Sequence, residues 1–543
     1  MAWYDSAVFY HIYPFGLCGC AHENTGVSES HFDKLTEWAD HAKDIGCTGI
    51  YIGPLFESVG HGYETTDYRK VDCRLGTNED FKQWVQHCHK IGVKVIVDGV
   101  FNHTGREFFA FKDIREKREN SQYRDWYCNV NFGGNNSYND GFSYDNWGGY
   151  DLLAKLNQWN PAVREYLFDV VRFWVSEFDI DGIRLDAADV LDHNFMHELR
   201  GVTDGLKPDF WLMGEVIHGD YSRWANGGML HSVTNYELHK GLYSGHNDHN
   251  YFEIAHSIKR LAGICGDIRL YTFVDNHDVE RIYTKLSNKE HIYNVTILDY
   301  TVPGIPSIYY GSEFGIEGKK ENGSDWGLRP NLELSRLDSQ SELTRLCAKL
   351  GYLKKEFPEL TYGEYKELLL TNRQFAYGRI KDGRAVIIAL NNDDNAAHLE
   401  IPLPVGASEA VDLLSIAEGE KKEEPVAAED MDAKREAEAL AAKKEQAAAM
   451  QDAVERAAML SKYLTEAQAQ IGSGGEINDL SNQCYSQVDN LKLSITQMLK
   501  AFGENSLPQG HADLTACTKA EIRDGKLIVD LPANRGGVYG LGF

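Results

Sequence analysis

No run of apolar residues in the sequence approaches the roughly 20 needed to span a bilayer. The opening, Met1-Ala2-Trp3-Tyr4-Asp5, has neither the basic stretch nor the apolar core of a secretory signal, so a cytoplasmic protein is expected. Ten cysteines are scattered from Cys18 to Cys517 without an even framework of spacings, which excludes a disulfide-stapled scaffold and fits buried thiols in a reducing compartment. The close pair Cys18-Gly19-Cys20 has no further metal ligands near it in sequence, and it reads as part of that buried set. No GxGxxG or GxxxxGK[ST] follows the first apolar segment, so a nucleotide-binding protein has no support. Basic residues are the scarcer charge: 55 Lys and Arg face 82 Asp and Glu, for a net −27. Such a field repels nucleic acid, anionic membranes and polyanionic substrates. Neutral or cationic partners remain.

What is present is an ordinary globular composition, 43% hydrophobic and 25% charged, over 543 residues. Short apolar runs at Val8–Tyr13, Gly49–Gly53, Val93–Val97, Gly182–Leu185, Phe210–Met213, Ser232–Asn235, Leu270–Val274 and Ser307–Tyr310 read as eight buried strands. Amphipathic stretches such as Phe32–Asp44, Asn78–Lys90 and Pro161–Phe178 read as helices between them. Near-continuous apolar strands alternating with helices predict an α/β protein with a parallel sheet covered by helices. Eight units predict a (β/α)8 TIM barrel, over residues 1–103 and 158–360.

One connection is too long for a simple loop. Residues 104–157 carry Tyr123, Trp126, Tyr127, Phe132, Tyr138, Phe142, Tyr144, Trp147 and Tyr150 among Gly, Asn and Asp. Long irregular excursions are commonly lids or binding elements, and aromatics among polar neighbours suit stacking on sugar rings. A small self-packed loop core would also use several of them. After residue 360 the pattern becomes antiparallel, with hairpin turns at Asp382-Gly383 and Asp524-Gly525. Residues 361–417 and 511–543 are expected to form a C-terminal β-sandwich. Residues 418–510 interrupt it with a long Ala/Glu/Lys/Gln-rich stretch, the breaker Gly472-Ser473-Gly474-Gly475, and a heptad-like stripe from Ile477 to Phe502. This predicts an inserted antiparallel helical hairpin, with self-association or a protein partner along 428–502 as a further role.

Barrel enzymes carry their chemistry at the C-terminal ends of the strands, where the βα loops converge. Here four predicted strands end in acids: Asp98 within Asp98-Gly99-Val100-Phe101-Asn102-His103, Asp186 after Arg184-Leu185, Glu215 after Gly214, and Asp275-Asn276-His277-Asp278. One such carboxylate could cap a helix or brace a loop. Four gathered in one cleft repel each other and need a purpose. Glycosidic cleavage supplies one, because a carboxylate captures the oxocarbenium-like centre while a carboxylic acid of raised pKa protonates the leaving oxygen. Arg184, two residues before Asp186, shares its strand face and would orient it. Glu215, on the longer side chain, can serve as acid and then base.

These four segments resemble, in order, the four signature regions of the α-amylase superfamily, glycoside hydrolase family 13. The resemblance covers roughly residues 8–415 and 518–543. It implies a retaining α-glucan enzyme with Asp186 as nucleophile, Glu215 as general acid/base and Asp278 as transition-state stabiliser. By the same likeness Asp98 is structural near the site, and His103, Arg184 and His277 contact the sugar or orient the nucleophile. The segment from His61 to Tyr68 resembles the family's loop after the second strand, with Tyr63 stacked on the reacting glucose. Leu153-Ala154-Lys155-Leu156-Asn157 resembles a motif of neopullulanases and cyclomaltodextrinases. Asp325 and Arg329 stand in the D-x-x-x-R spacing of relatives that grip a short substrate end, although a surface salt bridge gives the same spacing.

Two departures stand out. Ala187-Ala188-Asp189-Val190 ends without the Lys-His pair of calcium-dependent α-amylases, which argues against their calcium site although Asn102 is retained; hydrolysis by this mechanism requires no cofactor. The N-terminal β-domain with which many neopullulanases dimerise is not expected, since the first strand begins near Val8. The expected activity is hydrolysis of α-1,4 bonds in maltooligosaccharides or related short α-glucans. A glucanotransferase, or an α-glucosidase with α-1,6 activity, would use the same intermediate. A non-catalytic binding or scaffold protein would be expected to have lost at least one carboxylate, and none is missing.

Overall fold

The computed structural model describes residues 2–321, 323–416, 514 and 517–543. The expected hairpin at 418–510, with its interaction surface at 428–502, lies outside the described residues.

Eight strands, β1 (Phe9–Ile12), β2 (Gly49–Ile52), β3 (Lys94–Gly99), β4 (Gly182–Leu185), β5 (Trp211–Gly214), β6 (Ser232–Val233), β7 (Tyr271–Phe273) and β8 (Ile305–Tyr309), pair in parallel in the order β6-β5-β4-β3-β2-β1-β8-β7. Thr234 bridges in parallel to Tyr271, and the Asn235 amide donates to the Tyr271 carbonyl at 2.9 Å, so the ring closes. This is the (β/α)8 barrel the apolar runs predict. Strand β6 stops two residues short of its expected end because the Asn235 side chain accepts from the Leu238 amide and starts the helix Tyr236–Asn247. The helices Phe32–Asp44, Asn78–Lys90 and Pro161–Phe178 have the bounds read from their periodicity.

Alternation along the strands sorts the barrel interior into layers. Phe9, Ile96, Trp211, Met213, Tyr271, Phe273 and Ile305 meet in one buried cluster, with Phe9 and Trp211 stacked at 4.7 Å. The same parity carries upward to Asp98 on β3 and Arg184 on β4, which are register partners. Asp186 and Glu215 continue it just past β4 and β5. A filled apolar floor therefore supports a polar top layer, and no water-filled bore runs between them.

The chain leaves the barrel after β3 and returns through a three-stranded antiparallel sheet of His103–Thr104, Tyr150–Lys155 and Asn146–Trp147. Its anchor is short, with the Leu156 amide donating to the Asn102 carbonyl at 2.9 Å. Within it Phe142 is buried among Phe111, Phe132 and Tyr144, with centroids 5.6–5.9 Å away. The self-packed core thus accounts for several of the aromatics.

After the barrel come eight antiparallel strands: β9 (Glu364–Leu370), β10 (Gln374–Lys381), β11 (Arg384–Asn391), β12 (Ala397–Pro402), β13 (Ala410–Asp412), β14 (Thr518–Arg523), β15 (Lys526–Leu531) and β16 (Gly536–Leu541). They pair in the order β9-β10-β11-β16-β13-β14-β15-β12. Ile387 and Ala389 of β11 share one buried cluster with Leu399 and Ile401 of β12 and Leu527 and Val529 of β15, so the two ends of the sheet order face each other across an apolar core. Strands β9, β13 and β14 are not visible in the sequence, because β13 has only three residues and β9 and β14 each carry three charged residues.

Candidate active site

Arg184 is the centre of the top layer. Buried at the end of β4, its guanidinium donates from Nη1 to Asp98 Oδ1 and to Asp186 Oδ1, both at 2.8 Å, and its Nη2 lies 2.8 Å from Glu215 Oε2. One cation thus holds carboxylates from the ends of three neighbouring strands, the planar geometry for which arginine is suited and lysine is not. The Glu215 Oε2 also accepts the Ala187 amide at 3.0 Å. That amide is aimed by the left-handed conformation of Ala187 (φ 45°), a rare state for a residue with a Cβ. The second Glu215 oxygen faces the Tyr236 hydroxyl at 3.5 Å.

Asp98 is spoken for on every side. Its Oδ2 accepts from the hydroxyls of Tyr51 at 2.8 Å and Tyr63 at 3.2 Å. The Tyr63 hydroxyl also contacts His277 Nε2, and that nitrogen lies 3.0 Å from Asp278 Oδ2. Arg329 approaches Asp278 from the other side, with Nη2 2.8 Å from Oδ1. The remaining Arg329 donors go to the His277 carbonyl at 3.0 Å and the Tyr13 hydroxyl at 3.2 Å. His103 Nε2 meets the Tyr63 carbonyl at 3.1 Å, and the Asn102 amide meets His103 Nδ1 at 3.2 Å.

Burial and charge act differently on the three central acids. Burial pushes Asp186 well above the usual carboxylate range, with Arg184 opposing and the neighbouring acids adding to it. Burial likewise raises Glu215, and Asp278 adds to it. Both carboxyls, raised beside one guanidinium, thus hold a proton more tightly than a free acid does. At Asp278 burial is outweighed by His277 and Arg329, which hold its carboxyl well below the usual range. Burial lowers His103 to about 4, so its ring is neutral at physiological pH. The arrangement offers an ionised carboxylate, a proton donor and a fixed anion around one cleft.

All the expected site residues except Asp325 are joined in this network, directly or through Tyr63. Asp325 lies 3.6 Å from Arg329 and is held by Lys320 at 2.8 Å, while Arg329 is buried against Asp278. The salt bridge that the spacing also allowed is thus present, and Arg329 is at the same time buried against Asp278. Tyr13, Tyr51, Tyr236 and Asn276, whose amide donates to the Tyr236 hydroxyl at 3.0 Å, escaped the sequence reading. Tyr51 is indistinguishable there from its apolar strand neighbours; only its inward parity with Asp98 gives it away.

Asn102, retained from the calcium pattern, points its amide at His103, and the turn Ala188–Val190 ends in an exposed valine. Among the described residues the acids and thiols that converge within 4.8 Å are Glu57, Asp72 and Cys73, where Asp72 is already paired with Arg74 at 2.8 Å. Cys20 of the Cys18-Gly19-Cys20 pair donates to the Arg74 carbonyl at 3.3 Å, and the nine described cysteines form no disulfide with one another. No helix among the described residues is long and apolar enough to cross a membrane.

Comparison with known proteins agrees with this geometry. The family model for the α-amylase catalytic domain matches residues 25–349. A maltogenic α-amylase of Bacillus acidopullulyticus is 32% identical over 433 residues, covering 75% of this chain and 72% of the relative. A cyclomaltodextrinase of Thermoanaerobacter pseudethanolicus is 32% identical over 379 residues, covering 68% of this chain but 63% of its own length. Among solved structures, the native debranching enzyme of Nostoc punctiforme superposes with a TM-score of 0.67 at 26% identity, over 75% of this chain and 91% of that one. The chain belongs to the α-amylase family, and it is a glycoside hydrolase of the maltogenic amylase and cyclomaltodextrinase type.

Proposed function

We propose that this enzyme is a retaining hydrolase of α-1,4 bonds in maltooligosaccharides and related short α-glucans. The observation that carries this reading is the single guanidinium of Arg184 bridging Asp186 and Glu215. A shared cation holds the two carboxyls beside each other, the arrangement that a nucleophile and its acid/base partner need in a retaining mechanism.

Asp186 attacks the anomeric carbon as a proton passes from Glu215 to the glycosidic oxygen, and the C–O bond to the leaving sugar breaks. Glu215, now ionised, takes a proton from water; that water displaces Asp186 from the anomeric carbon and restores both groups. Asp278, ionised throughout, stabilises the positive charge that builds on the ring in both steps. These steps use only this chain's side chains. The names of the relatives, maltogenic amylase and cyclomaltodextrinase, support linear and cyclic α-glucans as the substrate class.

Products from maltoheptaose, cyclodextrin, pullulan and panose, followed by NMR from the first turnover, test the assignment. The α-anomer is expected first, with α-1,4 cleavage dominant. In Glu215→Gln, a glycosyl adduct on the peptide containing Asp186 is expected. Asp186→Asn with undiminished turnover, or the β-anomer as first product, would refute the mechanism.

A further inference from the structure

The long excursion carries twelve aromatics, and the structure divides them. Tyr127, Phe142 and Tyr144 are buried, Tyr123 and Trp126 pack edge-on at 5.1 Å, and Phe132 lies against Phe142. Tyr138 is half exposed but lies beneath Arg106, whose guanidinium stands 3.8 Å from its ring centre. Phe108 and Phe111 are buried, and Phe109, although 43% exposed, packs edge-on against Tyr123 and Trp126. Trp147 and Tyr150 are left, 40% and 63% exposed. Large apolar side chains kept at the surface of a well-packed unit call for a purpose.

Their placement is built rather than incidental. Trp147 and Tyr150 are register partners across Gly148-Gly149. Both glycines have positive φ, 62° and 84°, the two-residue hairpin turn that glycine alone adopts without strain. A Cβ on Gly148 would stand 3.3 Å from the Tyr150 ring, so the glycine also lets that ring lie close over the turn. Below the tip, Asn146 donates to Asp151 Oδ1 at 2.7 Å, and the sheet runs down to His103–Thr104 at the barrel mouth. The Trp147 ring is 6.1 Å from that of His103. His103 in turn holds the Tyr63 backbone, and Tyr63 reaches Asp98 and His277. The exposed pair is therefore continuous with the catalytic network through His103 and Tyr63.

We propose that Trp147 and Tyr150 form a second sugar-stacking subsite, which takes a glucosyl ring of an α-glucan chain beyond the ring held over Asp186. The C–H faces of glucose carry weak positive charge and match the negative faces of indole and phenol rings. A rigid hairpin presents those faces with little ordering cost on binding. The neutral ligand also suits a protein whose net charge is −27. This proposal rests on the α-glucan reading above and names the part of the chain that sets length preference.

The test compares the wild type with Trp147→Ala, Tyr150→Ala and Trp147→Phe on maltotriose through maltoheptaose. The loss in kcat/KM of Trp147→Ala is expected to grow with chain length, to about tenfold for maltoheptaose, with the change falling on KM rather than kcat. Trp147→Phe should recover most of it, and Tyr150→Ala should show the same trend more weakly. Calorimetric titration of maltoheptaose into Asp186→Asn and into Asp186→Asn combined with Trp147→Ala, where the substrate is expected to stay intact, gives a reading independent of turnover. Tighter binding by the protein that keeps Trp147 upholds the subsite even if the expected products fail to form from the wild type, in which case the hydrolytic mechanism alone falls. A loss equal at every chain length, or maltoheptaose binding and turnover that neither alanine variant alters, would overturn the subsite and leave the mechanism standing.

Discussion

Arg184 is one residue on which several others depend. It neutralises one of three acids crowded around it, and it fixes the distance between two of them. Arg184→Gln is expected to lower kcat by about 10²–10³-fold, since the removed donor is preorganised toward reacting groups. Arg184→Lys should restore little, because a point charge cannot bridge two carboxylates in one plane. Steady-state kinetics on maltoheptaose, with near-UV circular dichroism to confirm the fold, decides it. Parity with the wild type would remove Arg184 from its place. His239 illustrates a different single-residue effect. It is buried and stacked on Phe273 at 5.1 Å, and burial lowers it to about 3. Between roughly pH 6.5 and 3 the unfolded chain binds a proton at this position that the folded protein refuses, so stability is lost as pH falls. In His239→Phe that loss disappears. Its unfolding free energy relative to wild type should rise by about 1.4 kcal/mol for each unit of pH below 6. Urea unfolding at pH 7, 6 and 5 measures this, and a constant difference would contradict it.

Elements in this fold begin where side chains supply the hydrogen bonds that helix ends leave open. Thr77 starts the helix Asn78–Lys90 with a reciprocal box: its side chain accepts the Asp80 amide at 3.2 Å, and Asp80 accepts the Thr77 amide at 2.8 Å. That helix packs behind β3, the strand that carries Asp98. Thr77→Ala should cost about 1 kcal/mol and Thr77→Ser only a few tenths. Equal urea midpoints for all three proteins would show that packing alone holds this terminus. The same local chemistry explains why helices were legible in the sequence to the residue while some strands were not. Helix caps are written in adjacent residues, as Asn160-Pro161 also shows. The existence of β13 depends on partners far away along the chain.

The barrel and the β-domain belong to one compact unit, and buried polar groups cross between them. Arg379 on β10 donates to the Thr301 carbonyl at 2.7 Å, at the end of the helix that precedes β8, and to the Gly363 carbonyl at 3.1 and 3.2 Å. Thr301 and Tyr377 share a hydrogen bond of 2.6 Å beside it. Arg379→Met leaves two buried carbonyls without donors, at about 1–3 kcal/mol each. All ten tryptophans lie at or before residue 326, so their fluorescence reports the barrel and its excursion and not the β-domain. The variant should nevertheless lower the barrel's own urea midpoint. An unmoved fluorescence midpoint would mean that the two parts unfold separately.

The sequence by itself determined the barrel, because eight apolar runs separated by amphipathic helices bury their faces in very few ways. It also placed acids at strand ends, since a strand end can be read from where an apolar run stops. What it could not state was which of those acids share a cation. Asp98, Arg184 and Glu215 are far apart in the chain and meet only because neighbouring strands of a closed ring lie side by side in register. The same holds for Arg329, which its spacing tied to Asp325 but which the fold buries against Asp278. Composition likewise could not divide the aromatics of the excursion. Every one of them is apolar enough to be core, and only packing decides which rings are covered and leaves Trp147 and Tyr150 at the barrel mouth.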